Sequence, residues 1–185
     1  MVKLPDMKKD TSKKTGYKTT DDTDPSIVSE PFEAYGGYTQ DPIAARTIGL
    51  MGMQGKHDFA HINNDNDFIS VIRNGIPKQA MTHLMNIADI SLMEMANIMH
   101  TTDRTLRRYS ATQKLPQEQS EGVVEMAKLY SRGEEVFGNM EKFREWMNTV
   151  LLPFGNKKPK EFLDTSLGIR MILDELGRIE HGILA

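Results

Sequence analysis

At 185 residues, 38% of them hydrophobic, the chain is long enough for one domain or two small ones. It has no Cys, which excludes disulfides and thiolate metal sites. Its formal net charge of -3 excludes a surface-wide electrostatic grip on nucleic acid, so any DNA contact has to come from a local basic patch. No apolar run approaches the roughly 18 residues of a bilayer span, and the opening MVKLPDMKKDTSKK lacks the apolar stretch of a signal peptide. A cytoplasmic protein is expected, with no membrane partner.

Residues 1–45 are rich in Lys, Asp, Thr, Ser, Gly and Pro and poor in large apolar side chains, so they are expected to be disordered. Residues 46–65 read as a linker of uncertain structure. Ile43, Ile48, Leu50, Met51 and Met53 offer apolar surface there, but Gly49, Gly52 and Gly55 argue against a long helix. His57 and His61 stand four apart, which would put two imidazoles on one helical face. A metal needs a third ligand and usually a fourth, and only Asp58 and Asp65 are near, so no metal site is expected.

The ordered chain is expected to begin near Asn66. Phe68, Ile69 and Ile72 make a short amphipathic helix that Asn74-Gly75 closes. Pro77 fits a first helical residue, and Lys78 to Ala88 follow with Ala80, Met81, Leu84, Met85 and Ala88 on the inner face.

From Ser91 to Lys114 the pattern is the most informative of the chain. Leu92, Met95, Ala96 and Met99 recur at helical spacing behind a capping box of Ser91 and Glu94. Thr102 offers a second cap, and Asp103 to Ser110 read as a second short helix anchored by Leu106. Two short helices joined by a tight turn make a helix-turn-helix candidate, with the second helix in the DNA major groove. Between His100 and Lys114 there are four Lys/Arg against one Asp. Arg104, Arg107, Arg108 and Lys114 suit phosphates and guanine edges, and Thr102 and Thr105 suit phosphates or a thymine methyl.

After Leu115-Pro116 a long helix carries Val123, Val124, Met126, Ala127, Leu129, Tyr130, Val136 and Phe137 up to a break at Gly138-Asn139. Met140 to Met147 form another, with Phe143, Trp146 and Met147 turned inward. A loop covers Leu152 to Asn156, and Pro159 opens a short helix containing Phe162 and Leu163. Thr165 or Ser166 caps a last helix whose apolar positions are Leu167, Ile169, Met171, Ile172, Leu176 and Ile179. No period-two pattern appears, so the class is all-α. There is no phosphate loop or nucleophile elbow. Asp174, Glu175 and Glu180 read as a solvated face or as partners of Arg170 and Arg178. No catalytic residue, no metal and no cofactor is expected.

The C-terminal half carries an ordered series of motifs: Glu134-Glu135-Val136-Phe137-Gly138, Trp146-Met147, Phe154-Gly155, Pro159 with Phe162-Leu163-Asp164-Thr165, Gly168, and Leu176-Gly177-Arg178-Ile179-Glu180-His181-Gly182. This series resembles the toxin-binding domain of Xre/MbcA/ParS-type antitoxins. The segment from Phe68 through Gly75-Ile76-Pro77 and the helix-turn-helix is similar to the Xre-like DNA-binding part of the same proteins. The loop Val150 to Asn156 departs from the commoner form, which has an earlier Pro and a Gly-Gly pair. The resemblance implies an Xre-like helix-turn-helix domain over residues 66–137 and a toxin-binding domain over 138–185. It further implies an antitoxin of a type II pair whose partner is a RES-domain toxin, an enzyme that consumes NAD or transfers ADP-ribose from it. Neutralisation would be by direct contact, the C-terminal end reaching the toxin's NAD cleft, and the antitoxin would repress its own operon as a dimer or within a hetero-oligomer with the toxin. The residues assigned to toxin contact on this basis are Trp146, Phe162, Arg178, Glu180, His181, Gly182, Ile183, Leu184 and Ala185.

The charge distribution suits those roles. From Leu115 onward acidic residues outnumber basic ones by 12 to 9, a poor DNA surface, while Gly182-Ile183-Leu184-Ala185 is small and apolar and finishes in a carboxylate. Two other readings stand beside it: a stand-alone transcription regulator with a ligand- or partner-sensing C-terminal domain, and an antitoxin without DNA binding.

Overall fold

Pro116 cannot donate to a preceding turn, and it caps the 21-residue central helix, Gln117–Phe137. The architecture comes from a computed structural model that describes residues 41–182. In chain order the helices are α1 (Pro42–Leu50), α2 (Asp65–Asn74), α3 (Lys78–Ala88), α4 (Leu92–Ile98), α5 (Asp103–Arg108), α6 (Gln117–Phe137), α7 (Met140–Met147) and α8 (Ser166–Glu180). Short 3₁₀ turns lie at His57–Phe59, Leu152–Phe154 and Pro159–Phe162. No strand occurs among the described residues, and the fold is all-α.

The central helix contacts α1, α2, α3, α7 and α8. Val123, Val124, Met126, Ala127, Leu129 and Tyr130 are each at most 2% exposed, so it buries almost its whole circumference there. Two features allow close packing on it. Gly133 has no side chain where the Phe143 ring of α7 lies against the helix backbone. Buried Ser120 donates to the Leu115 carbonyl at 3.2 Å and accepts from the Ile76 amide at 3.1 Å, while Leu115 N–H donates to the Ile76 carbonyl at 2.8 Å. A buried hydroxyl is tolerated because both of its bonds are made.

The composition reading closed the tail at residue 45 and began the core near Asn66; the structure places helix and core in between. Asp41 caps α1 by accepting from the Ile43 amide at 3.0 Å, with Pro42 as first residue. Ser131 donates to the Ile43 carbonyl at 3.3 Å, and Arg46 donates to the Ser131 carbonyl at 3.2 Å, fastening α1 to α6. Ala44, Ile48, Leu50, Met51, Met53, Phe59 and Ile62 are all buried. The three glycines shorten the helix, as expected, but the apolar residues between them still reach the core. Residues 1–40, and with them most of the segment expected to be disordered, lie outside the described residues.

Other elements sit within a residue or two of their expected places. Asn64 and Asp67 form a capping box on α2, and Gly75 closes it at φ +77°. A Cβ on Gly75 would also meet the Leu115 carbonyl oxygen at 2.6 Å. Pro77 is the cap of α3 rather than its first helical residue.

Candidate nucleic-acid interface and C-terminal surface

The helix-turn-helix is built by local hydrogen bonds. On α4, Glu94 Oε2 accepts from Ser91 N–H at 2.9 Å and from Ser91 O–H at 2.7 Å, and Ser91 Oγ accepts from the Glu94 amide at 3.2 Å. The Ser91 amide, then its hydroxyl, hold the Glu94 carboxyl below its ordinary value, with burial opposing them. Lys160 adds an ion pair to Glu94 at 3.2 Å, tying this helix to the C-terminal part of the chain. The turn into α5 passes through His100 at φ +48°, a left-handed conformation that His tolerates better than a branched residue does. Thr102 caps α5 through its hydroxyl, which accepts from the Thr105 amide at 3.1 Å.

The second helix, expected to run to Ser110, ends at Arg108, and Tyr109 is extended. Its carbonyl is taken by the Lys78 ammonium at 2.9 Å, while the Lys78 and Gln79 amides donate to the Gln113 and Ala111 carbonyls, each at 2.9 Å. The start of α3 thus straps down the loop after α5. Leu106 is fully buried, and Arg104, Arg107 and Arg108 are exposed opposite it. Asp103 holds Arg107 at 3.4 Å, whereas Arg104 and Arg108, four apart, have no ion-pair partner among the described residues. Thr102 is exposed and Thr105 partly buried. Lys114 is exposed beyond the loop, in an isolated antiparallel bridge with Pro77.

The C-terminal residues singled out by sequence do several different things. Trp146 lies 5.9 Å from Phe143, 5.6 Å from Phe137 and 6.0 Å from Phe154, ring centre to ring centre, and Phe162 lies 5.4 Å from Phe154. With Tyr130 and Phe143, 5.2 Å apart, these rings form one chain from α6 through α7 into the 3₁₀ turns. Trp146 and Phe162 are therefore partly buried supports of the module. Arg178 binds Glu175 at 2.6 Å, as its spacing suggested. Glu180, read as a partner of α8 arginines, instead pairs with Arg132 of α6. Arg132 is also bound by Glu135, at 2.7 Å. His181 and Gly182 are exposed at the end of α8, and Ile183, Leu184 and Ala185 lie outside the described residues.

What sequence reasoning missed is the outward apolar set. Seven large apolar side chains are exposed among the described residues: Ile69, Met93, Val150, Leu152, Leu167, Met171 and Leu173. Five of the seven lie beyond residue 132. Leu167 and Met171, two of the apolar positions expected on the last helix, are 67% and 37% exposed on α8. They share one face, four residues apart, turned away from buried Ile169, Ile172 and Leu176.

Comparison with known proteins matches the chain in two parts. Residues 67–128 match the antitoxin Xre-like helix-turn-helix domain, and residues 132–182 match the antitoxin Xre/MbcA/ParS C-terminal toxin-binding domain. The chain is 25% identical over 142 residues to Antitoxin Xre of Photorhabdus laumondii subsp. laumondii, covering 76% of this chain and 89% of that protein. It is 27% identical over 100 residues to Antitoxin Xre of Yersinia enterocolitica, covering 53% of this chain and 68% of the relative. Two adjoining modules, one built to present a short basic helix and one described by its binding of toxins, define a two-surface binding protein. The chain belongs to the Xre/MbcA/ParS-type antitoxins. Both matches meet inside α6, so one uninterrupted helix serves the two modules.

Proposed function

We propose that this chain is a type II antitoxin that neutralises a RES-domain toxin by direct contact, its C-terminal end blocking the toxin's NAD cleft, and that it represses its own operon through α5. The observation that carries the toxin half is the concentration of exposed large apolar side chains in the C-terminal module: a monomer that leaves Val150, Leu152, Leu167, Met171 and Leu173 in water has a surface suited to a partner. Leu167 and Met171 supply the apolar centre of the contact. Arg178, Glu180, His181, Gly182 and the last three residues supply its polar edge and the plug, and Trp146 and Phe162 hold the surface from beneath. For the operon half, Arg104 and Arg108 reach base edges and phosphates, with Thr102, Thr105 and Arg107 alongside. A six-residue helix reads few base pairs, so repression uses two copies, paired directly or through a toxin dimer, on half-sites roughly 34 Å apart.

The test is NAD consumption by a RES-type toxin encoded beside this chain, measured with full-length antitoxin, with His181 to Ala185 deleted, and with Leu167→Glu/Met171→Glu. The deletion is expected to restore NAD consumption while a complex still forms. The double variant is expected to lose the complex. Full inhibition by both would place neutralisation elsewhere on the molecule. No inhibition by the full-length chain would exclude this toxin as its partner.

A further inference from the structure

The loop that follows the arginine-bearing helix ends at Lys114, and an open groove lies against it. Lys56, His57 and His61 lie upstream of both family matches. They line an open groove of about 840 Å³ together with Gln79, Thr112 and Lys114. This groove begins where α5 ends, because the loop after α5 is the one strapped to Lys78 and Gln79 at the start of α3. Lys56 and Lys114 are exposed and have no ion-pair partner among the described residues. Two carboxylates, Asp58 and Asp67, line it as well. Asp67 accepts from the Asn63 amide at 2.8 Å and the Asn64 amide at 3.2 Å, and Asp58 lies 3.8 Å from His57. The His57 and His61 rings stand edge to face with centres 6.0 Å apart.

We propose that this groove holds the sugar–phosphate backbone of DNA flanking the bases under α5, with Lys56 and Lys114 as its two phosphate anchors. The inference rests on the DNA-binding reading above. Two ammonium groups without ion-pair partners among the described residues, both lining one open groove, suit a run of phosphates, and the loop that carries Lys114 follows directly from the arginine-bearing helix, so both could meet the same duplex. Their contribution is independent of sequence, since phosphates carry no base identity. The segment 53–62 is thereby a DNA-binding part of the protein that lies outside the matched helix-turn-helix domain.

The experiment titrates the full chain against two duplexes over a range of salt concentrations: one from immediately upstream of its own reading frame, one unrelated. Each phosphate contact contributes about 0.9 to the slope of log affinity against log salt. Lys56→Ala should lower the slope by about 0.9, and Lys56→Ala/Lys114→Ala by about 1.8, equally on both duplexes. Lys56→Arg should restore the slope, which separates lost charge from a folding defect. Arg104→Ala/Arg108→Ala, by contrast, should erase the preference for the upstream duplex. If Lys56→Ala leaves the slope unchanged while the arginine variant loses its preference, the groove proposal falls and the DNA reading stands. If the unaltered chain binds neither duplex, both fall.

Discussion

Glu94 shows how one carboxylate serves two levels of the fold. It closes the capping box with Ser91 and carries the ion pair to Lys160, 66 residues away. Its folded pKa lies below the unfolded one, so it adds stability above the unfolded value, and that contribution disappears as pH falls through the folded value. Glu94→Gln should therefore unfold at lower urea than the unaltered protein at pH 7, and the gap should close as the pH is taken down through the acid range. A gap that stays constant across that range would show that the charge is not involved. Ser91→Ala should cost about 1 kcal/mol by removing the cap itself. The cap was legible in sequence because a Ser and a Glu three residues apart suffice to define it. Lys160 was not, because nothing local links it to α4.

At the scale of elements, helix ends were the legible part and helix faces the difficult one. The start of α5 at Thr102 and the end of α6 at Gly138 follow from side chains next to them in sequence. The end of α5 at Arg108 depends on Lys78 seizing the Tyr109 carbonyl, a tertiary event. The outward set on α8 was illegible because Leu167 and Met171 satisfy the same spacing as Ile169 and Ile172; only the packing partner decides which side is buried. Close approach between elements is equally invisible locally, and Gly133 shows its consequence. On helix propensity alone, Gly133→Ala in α6 should gain up to about 1 kcal/mol. The added methyl would instead collide with the fully buried Phe143 ring, which belongs to the aromatic chain supporting the C-terminal module. Overpacking of this kind costs about 1–3 kcal/mol, so the substitution should be net destabilising in urea unfolding. Combining it with Phe143→Leu should give a smaller loss than the two singles summed, because each change removes the other's conflict. A stabilised Gly133→Ala protein would mean that α7 does not lie this close to α6.

Over the whole molecule, the core reaches further upstream than both the hydrophobic pattern and the family matches do. Sequence periodicity found the body from Asn66 onward because its apolar residues fall in long helical registers. It passed over residues 41–65 because their apolar side chains are divided among one short helix, a glycine-rich turn and a 3₁₀ turn. Yet Ile48, Leu50, Met51, Met53, Phe59 and Ile62 are each at most 7% exposed. Burying such side chains stabilises by about 1.5–3 kcal/mol apiece, so six of them represent on the order of 10 kcal/mol, which is comparable to the roughly 5–15 kcal/mol net stability of a domain. Arg46 adds a hydrogen bond to the Ser131 carbonyl and an ion pair to Glu134 at 3.7 Å, and His83 bonds the Leu50 carbonyl at 3.0 Å. A chain beginning at residue 41 is therefore expected to unfold cooperatively, whereas one beginning at residue 66 should lack a cooperative transition. The shorter chain should also bind an apolar fluorescent dye, because the removed segment uncovers faces of α3 and α6. Circular dichroism melts of the two chains, with dye fluorescence in parallel, decide the matter. Equal melting temperatures would mean that residues 41–65 only rest on a core that is already complete, and the boundary near Asn66 would then mark the real start of the folded unit.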